Sequence, residues 1–179
     1  MRTRVWCLAF PFALLAGSLA WMAVARGAPP APSPAQNVCT TQTGGLPVEK
    51  ARLLGYGGYR GPVASRIPEA QKFFDQGLVF GWGFNFAESV RSFSAAARLD
   101  PDCTECRWGI AWALGPSINH DMDPANVPAA LEAIVQARAS AAVGSRERAL
   151  VDALALRYSD RPNADAEQLA RSYARAMRA

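Results

Sequence analysis

A chain of 179 residues with 50% apolar and 9% aromatic side chains and a formal charge of +4 fits one domain and is too apolar to be mainly disordered. Lys is nearly absent and Arg is scattered, so composition gives no electrostatic case for nucleic acid. With a single His and no Ser/His/Asp order that repeats a known catalytic motif, it gives no enzyme signal either.

In chain order, Arg2 and Arg4 precede an uncharged, mostly apolar run from Val5 to Ala25, which ends on Ala23-Val24-Ala25. This is the shape of a secretory signal, with cleavage after Ala25 and Ala28 as the second choice. The rival is an N-terminal anchor over residues 5–25, long enough to span a hydrocarbon core with Trp6 and Trp21 at its interfaces. Pro11 and the Ala-x-Ala exit favour cleavage. Both readings export the rest of the chain, to the periplasm or outside the cell, with membrane contact only through an uncleaved N-terminal segment. Without residues 1–25, 17 basic residues face 15 acidic ones, a balance of +2.

Residues 26–66 form a Pro/Gly-rich linker and lead-in. Ala28–Pro34 (APPAPSP) is an extended spacer, and Cys39 to Arg66 is irregular because Gly and Pro interrupt every short apolar run. From Pro68 the character turns helical. Phe73, Gly77, Phe80 and Gly81 share one face, and Phe86, Val90, Phe93 and Ala97 another, with Gly83-Phe84-Asn85 as the break between two helices. Pro101 stops the second helix by forcing Asp100 out of the helical region. Further helices are predicted from about Thr104 to Leu114, Val127 to Ala142, Ser145 to Tyr158, and Ala164 to the end. No alternating strand pattern occurs, so residues 67–179 are read as all-α.

With Pro101 as a terminal proline, Phe73, Gly77, Phe80, Ser89, Phe93 and Ala96 fall at the bulky and small positions of a helix-turn-helix repeat, and only Gln76 departs from the pattern. Gly77 and Ser89 are expected where the two helices cross. An offset of 34 puts Ile110, Ala111 and Leu114 at equivalent places of a second unit. Ala130, Ile134 and Ala137 continue it after a long connection from Gly115 to Asn126. Arg107 takes the first bulky position, so Trp108 is expected to substitute for it with a one-residue slip. A third unit begins at Ser145 and is cut short at Ala179, which reads as a truncated sequence.

Residues 69–179 resemble the tetratricopeptide repeat superfamily, most specifically in Ala70 to Pro101. The blocks FDQGLVFGWGFNFAESVRSFSAAARLDPDC and WGIAWALGPSIN are similar to those of a group of exported bacterial repeat proteins. The resemblance implies a solenoid of helical hairpins with a binding or assembly role and no catalysis. Phe86 departs from it, since a polar residue or His is expected after Gly-Phe-Asn.

By counting along such hairpins, the first helices line a concave surface that presents Gln71, Phe74 and Leu78 from the first unit and Glu105, Trp108 and Trp112 from the second. Trp108 and Trp112 share a helical face, and the three aromatics suit a groove for an extended peptide. The competing reading is that these rings are core, covered by the lead-in.

Cys103-x-x-Cys106 is the sharpest local feature. The first reading is a structural disulfide between the two at helical spacing. Behind it stand a bridge to Cys39, one residue being left over among three cysteines in an oxidising compartment, and a zinc set of Cys39, Cys103, Cys106 and His120, which lacks a second CxxC. A redox role would place the pair beside a βαβ unit. Asn119–Asp123, with His120, reads as a solvated turn in the long connection. The leading expectation is a non-catalytic scaffold without cofactor or metal that binds a protein or peptide in its groove. The alternative is a thiol-dependent or metal-binding envelope protein that uses Cys103 and Cys106.

Overall fold

The computed structural model describes residues 51–179 apart from Tyr56 and Ala64. The signal or anchor at residues 1–25, the linker as far as residue 50, and Cys39 lie outside the described residues. An irregular segment leads into six helices: α1 (Pro68–Trp82), α2 (Phe86–Leu99), α3 (Thr104–Leu114), α4 (Val127–Ser140), α5 (Arg146–Ala155) and α6 (Ala166–Ala176). Consecutive helices pack as antiparallel-like pairs, and no strand occurs among the described residues. An isolated bridge between Ser117 and His120 closes a turn, and a 3₁₀ turn at Pro124–Asn126 leads into α4.

The helix starts follow from local chemistry. Pro68 opens α1 at a position where its missing N–H costs nothing. Four of the other helices begin on a side chain that accepts an otherwise unpaired backbone N–H. Asn85 accepts from Glu88 at 3.3 Å, Cys103 from Cys106 at 3.1 Å, Ser145 from Arg148 at 3.1 Å and Asp165 from Gln168 at 3.0 Å. Helix ends were less legible. The chain turns extended at Ala141 (φ −82°, ψ 127°), so α4 stops short of Ala142. Residues 156–158 tighten into i→i+3 bonds and end α5 before Tyr158.

Packing begins at Phe93, which is fully buried. A Cβ on Gly77 of α1 would sit 2.7 Å from its ring, and one on Gly109 of α3 only 2.5 Å away. Glycine at these two points therefore lets three helices close on one ring, which burial stabilises by about 1.5–3 kcal/mol. One turn along, Ser89 Oγ donates to the Gly77 carbonyl at 2.7 Å, so the α1–α2 crossing is made by Gly77 and Ser89. Around Phe93 gathers a first core with Phe73, Phe74, Phe86, Cys103 and Cys106. A second core forms between α3, α4 and α5 from Ala111, Leu114, Ile134, Val151, Leu154 and Tyr158. Trp108, Trp112 and Ile110 are half-buried and pack against both.

The lead-in is tied to α1 by three buried polar side chains. Gln76 donates to the Arg52 carbonyl at 2.8 Å and to Ser92 Oγ at 3.0 Å, and accepts from the Leu54 N–H at 2.7 Å. Asp75 accepts from the Gly61 N–H at 2.7 Å, and Gln71 donates to the Gly61 carbonyl at 3.0 Å and to Asp75 at 2.7 Å. Gln76, the one residue out of pattern in the first hairpin, is thus the anchor for a segment outside the hairpin. A buried amide in this position is tolerated because each of its polar atoms is satisfied.

Candidate functional site

The first helix of each pair contributes to one cleft. From α1 come Phe74, Leu78 and Trp82, from α3 Thr104, Glu105 and Trp108, and from α5 Arg146, Glu147 and Leu150. Tyr59 and Pro62 of the lead-in and Met177 beyond α6 complete the wall, and the cavity measures about 220 Å³. Tyr59 meets Trp82 edge-on with ring centroids 4.9 Å apart, so the lead-in narrows the opening without filling it.

Of the six residues proposed from counting, the cleft brings together Phe74, Leu78, Glu105 and Trp108. Gln71 lies elsewhere, buried beneath the lead-in and bonded to Gly61 and Asp75. Trp112, one turn further along the same face of α3, lies outside the cleft, where its ring occupies the space left by Gly81 and meets Phe93 edge-on at 6.5 Å. Phe74 and Leu78 are themselves only 2% and 7% exposed, so they form the floor, and the reachable wall is Trp82, Trp108, Leu150 and the charged residues of α5. Trp82, Arg146, Glu147 and Leu150 were not singled out from the sequence. The same count carried onto the third unit, which begins at Ser145, reaches α5.

Trp108 stacks on Trp112 with ring planes at 9° and centroids 5.9 Å apart. Its indole N–H is buried and meets no acceptor among the described residues. An unsatisfied buried donor costs about 1–3 kcal/mol, and here the donor belongs to a side chain in the cleft wall.

Cys103 and Cys106 form a disulfide with Cα atoms 5.4 Å apart. They are 2% and 0% exposed, and the bond fixes the first turn of α3, which carries Thr104 and Glu105 and leads to Trp108. Because the two sulfurs bond each other, they are not assembled with His120 into a ligand set, and no group of three metal-ligating side chains occurs among the described residues. His120 is not a free loop residue. Its Nδ1 is 2.5 Å from Ser117 Oγ, with which it shares a hydrogen bond, and its ring packs on Phe86 at 5.1 Å. Phe86, where the resemblance led to a polar residue or His, therefore anchors the long connection.

That connection also borders a larger cavity, about 1130 Å³, between residues 116–124, the start of α4, residues 157–164 and α6. Its wall mixes Met122, Leu131, Leu169 and Tyr173 with Asp121, Arg157 and Glu167. Sequence reasoning did not find it, since its wall is assembled from residues far apart in the chain, in two connections and two helices. Between α4 and α5, Asp152 accepts from Arg138 at 2.7 Å and Arg148 at 3.0 Å. Partial burial pulls its pKa up, but the two guanidiniums outweigh that and hold the carboxyl below the ordinary carboxylate range.

Set against known proteins, the chain matches no protein-family model, no curated protein and no solved structure.

Proposed function

We propose that this chain is an exported scaffold of tetratricopeptide-type helical hairpins that holds a peptide segment of another protein in the cleft between α1, α3 and α5, and performs no chemistry itself. The observation that carries this reading is the convergence of the first helices of three successive pairs on one cleft with an aromatic and aliphatic wall. Such walls suit apolar segments, with a few polar groups to orient them. The Phe73 to Pro101 register supports the repeat assignment, and so does the Gly77–Ser89 contact. Burial of both sulfurs weighs against the thiol-turnover alternative, since an attacking thiolate must reach one of them.

The test is selection of residues 26–179 against a random peptide display library, followed by hydrogen-exchange mapping of the selected peptides. Protection concentrated in α1, α3 and α5, lost in a Trp82→Ala, Leu150→Ala double variant that retains its helicity, is the expected result. Failure to select any peptide, or protection confined to the α4–α6 cavity, would overturn it.

A further inference from the structure

At about 220 Å³ the open cleft is smaller than the pockets of about 300–1,000 Å³ that enclose drug-sized ligands. It takes one side chain, and the rest of a peptide segment needs further surface. That surface exists on α1 and is occupied by the chain itself. Gln71, Phe74, Asp75 and Leu78 follow each other at the spacing of one helical face, and all four are buried. Gly61 lies on them. A Cβ there would sit 2.6 Å from Leu78 Cδ1 and 3.1 Å from Phe74 Cε1, and its N–H and carbonyl are the groups that Asp75 and Gln71 bind. Beside them, Gln76 binds the Arg52 carbonyl and the Leu54 N–H.

All four of these bonds go to main-chain groups of the lead-in. Its larger side chains point away from burial, with Leu53 41%, Leu54 51% and Tyr59 38% exposed. Main-chain bonding is a common source of affinity for extended peptides, and a site that reads main chain accepts any segment offering the same N–H and carbonyl groups. The hold is also shallow. Each such bond shifts a population only about three- to tenfold, and ordering Gly55, Gly57, Gly58 and Gly61 costs more chain entropy than ordering other residues. Resting on the peptide-binding reading above, we infer that residues 52–61 are a displaceable strap, an internal ligand on the α1 side of the groove, and that a partner's segment enters by taking over the bonds to Gln71, Asp75 and Gln76. Tyr59, edge-on against Trp82, narrows the mouth while the strap is in place. Apparent affinity is then reduced by the fraction of chains in which the strap is open.

The test compares residues 26–179 with a Leu54→Pro, Gly61→Pro variant, which lacks both strap N–H donors and leaves α1 untouched. The probe is the strap in trans, residues 51–63 as an acetylated and amidated peptide, titrated to millimolar concentration. It is expected to bind the variant about tenfold more tightly than the unchanged chain, and selected library peptides are expected to show the same preference. In the unchanged chain, saturation with a selected peptide is expected to speed hydrogen exchange at the Leu54 and Gly61 amides.

Failure of the strap peptide to bind the variant, or equal affinity of both chains for it, overturns the inference. The peptide-binding reading stands in that case if selected peptides still protect α1, α3 and α5. If the strap peptide behaves as expected and no library peptide is selected, that reading falls and the strap remains the groove's own ligand. Should the variant lose its helicity, native-state exchange of the unchanged chain decides. Leu54 and Gly61 amides that exchange about a hundredfold or more faster than those of α2 support the strap, while exchange together with α2 makes it a fixed part of the fold and overturns the inference.

Discussion

Phe93 shows how far a single residue determines the first hairpin. Its ring is fully buried between two glycines on different helices, with no room for a methyl group on either side. Gly77→Ala sets two effects against each other. Alanine gains about 1 kcal/mol of helix propensity, and overpacking against a rigid ring costs about 1–3 kcal/mol. The contact distance of 2.7 Å, to ring carbons rather than to a flexible tip, decides for the cost, so urea unfolding should show a net loss of up to about 2 kcal/mol. In a Phe93→Ala background the ring is gone, and Gly77→Ala should become neutral or stabilising. An equal cost in both backgrounds would show that the glycine serves something other than this ring. Gly77, Ser89 and Phe93 were legible because they recur at fixed spacing. Gly109 was not, because the offset of 34 points to Ala111, and only the packing shows that α3 meets the Phe93 ring two residues earlier.

Among elements, the end of α5 finishes the end of α3. Gly115 bonds back to the Trp112 carbonyl at 3.3 Å and leaves the Ala111 carbonyl without its usual partner in the last turn. The Tyr158 hydroxyl donates to that carbonyl, and Arg157 donates to the carbonyl of Pro116. Burial drives the Tyr158 phenol well above its ordinary pKa, only partly offset by the positive charge of Arg157. In the unfolded chain the phenol ionises near pH 10, whereas in the fold it stays protonated beyond that. The unfolded state thus binds fewer protons above pH 10, and stability falls as pH rises. The stabilisation from the protonated phenol is complete below about pH 10 and is lost above it, at about 1.4 kcal/mol per pH unit for this one group. Urea midpoints between pH 9 and 11.5 should show this slope, and Tyr158→Phe should remove it while lowering stability at pH 7 by about 1 kcal/mol. A variant with the same alkaline slope would assign the loss to other groups. Caps and prolines made the helix starts legible in the sequence. A cap supplied from another helix has no local signature, and neither does the bond network through which Gln76 and Asp75 hold the lead-in.

At the scale of the whole molecule, packing thins from the first pair to the third. Phe93, Cys103 and Cys106 sit in a closed core, while α6 contains no buried residue; its apolar side borders the larger cavity through Leu169 and Tyr173, and Met177 just beyond it borders the smaller. The sequence does place Leu169, Tyr173 and Met177 on one side of a helix, but an amphipathic pattern states only that a face is to be covered, not by what. Its visible ties are the packing of Tyr173 against the second core and the Arg157 guanidinium 5.2 Å above the Tyr173 ring. A helix of 11 residues is marginal in water by itself, so α6 depends on these few contacts. Native-state hydrogen exchange should therefore resolve two classes of amide. Those of α2 and α3 should exchange only with global unfolding, and those of α6 should open at about 2 kcal/mol or less, independently of the rest. Tyr173→Ala should drop α6 to near zero protection and leave α2 unchanged. If instead α6 exchanges together with α2, the third pair is part of one cooperative unit, and the shallow packing of its last helix understates how firmly it is held.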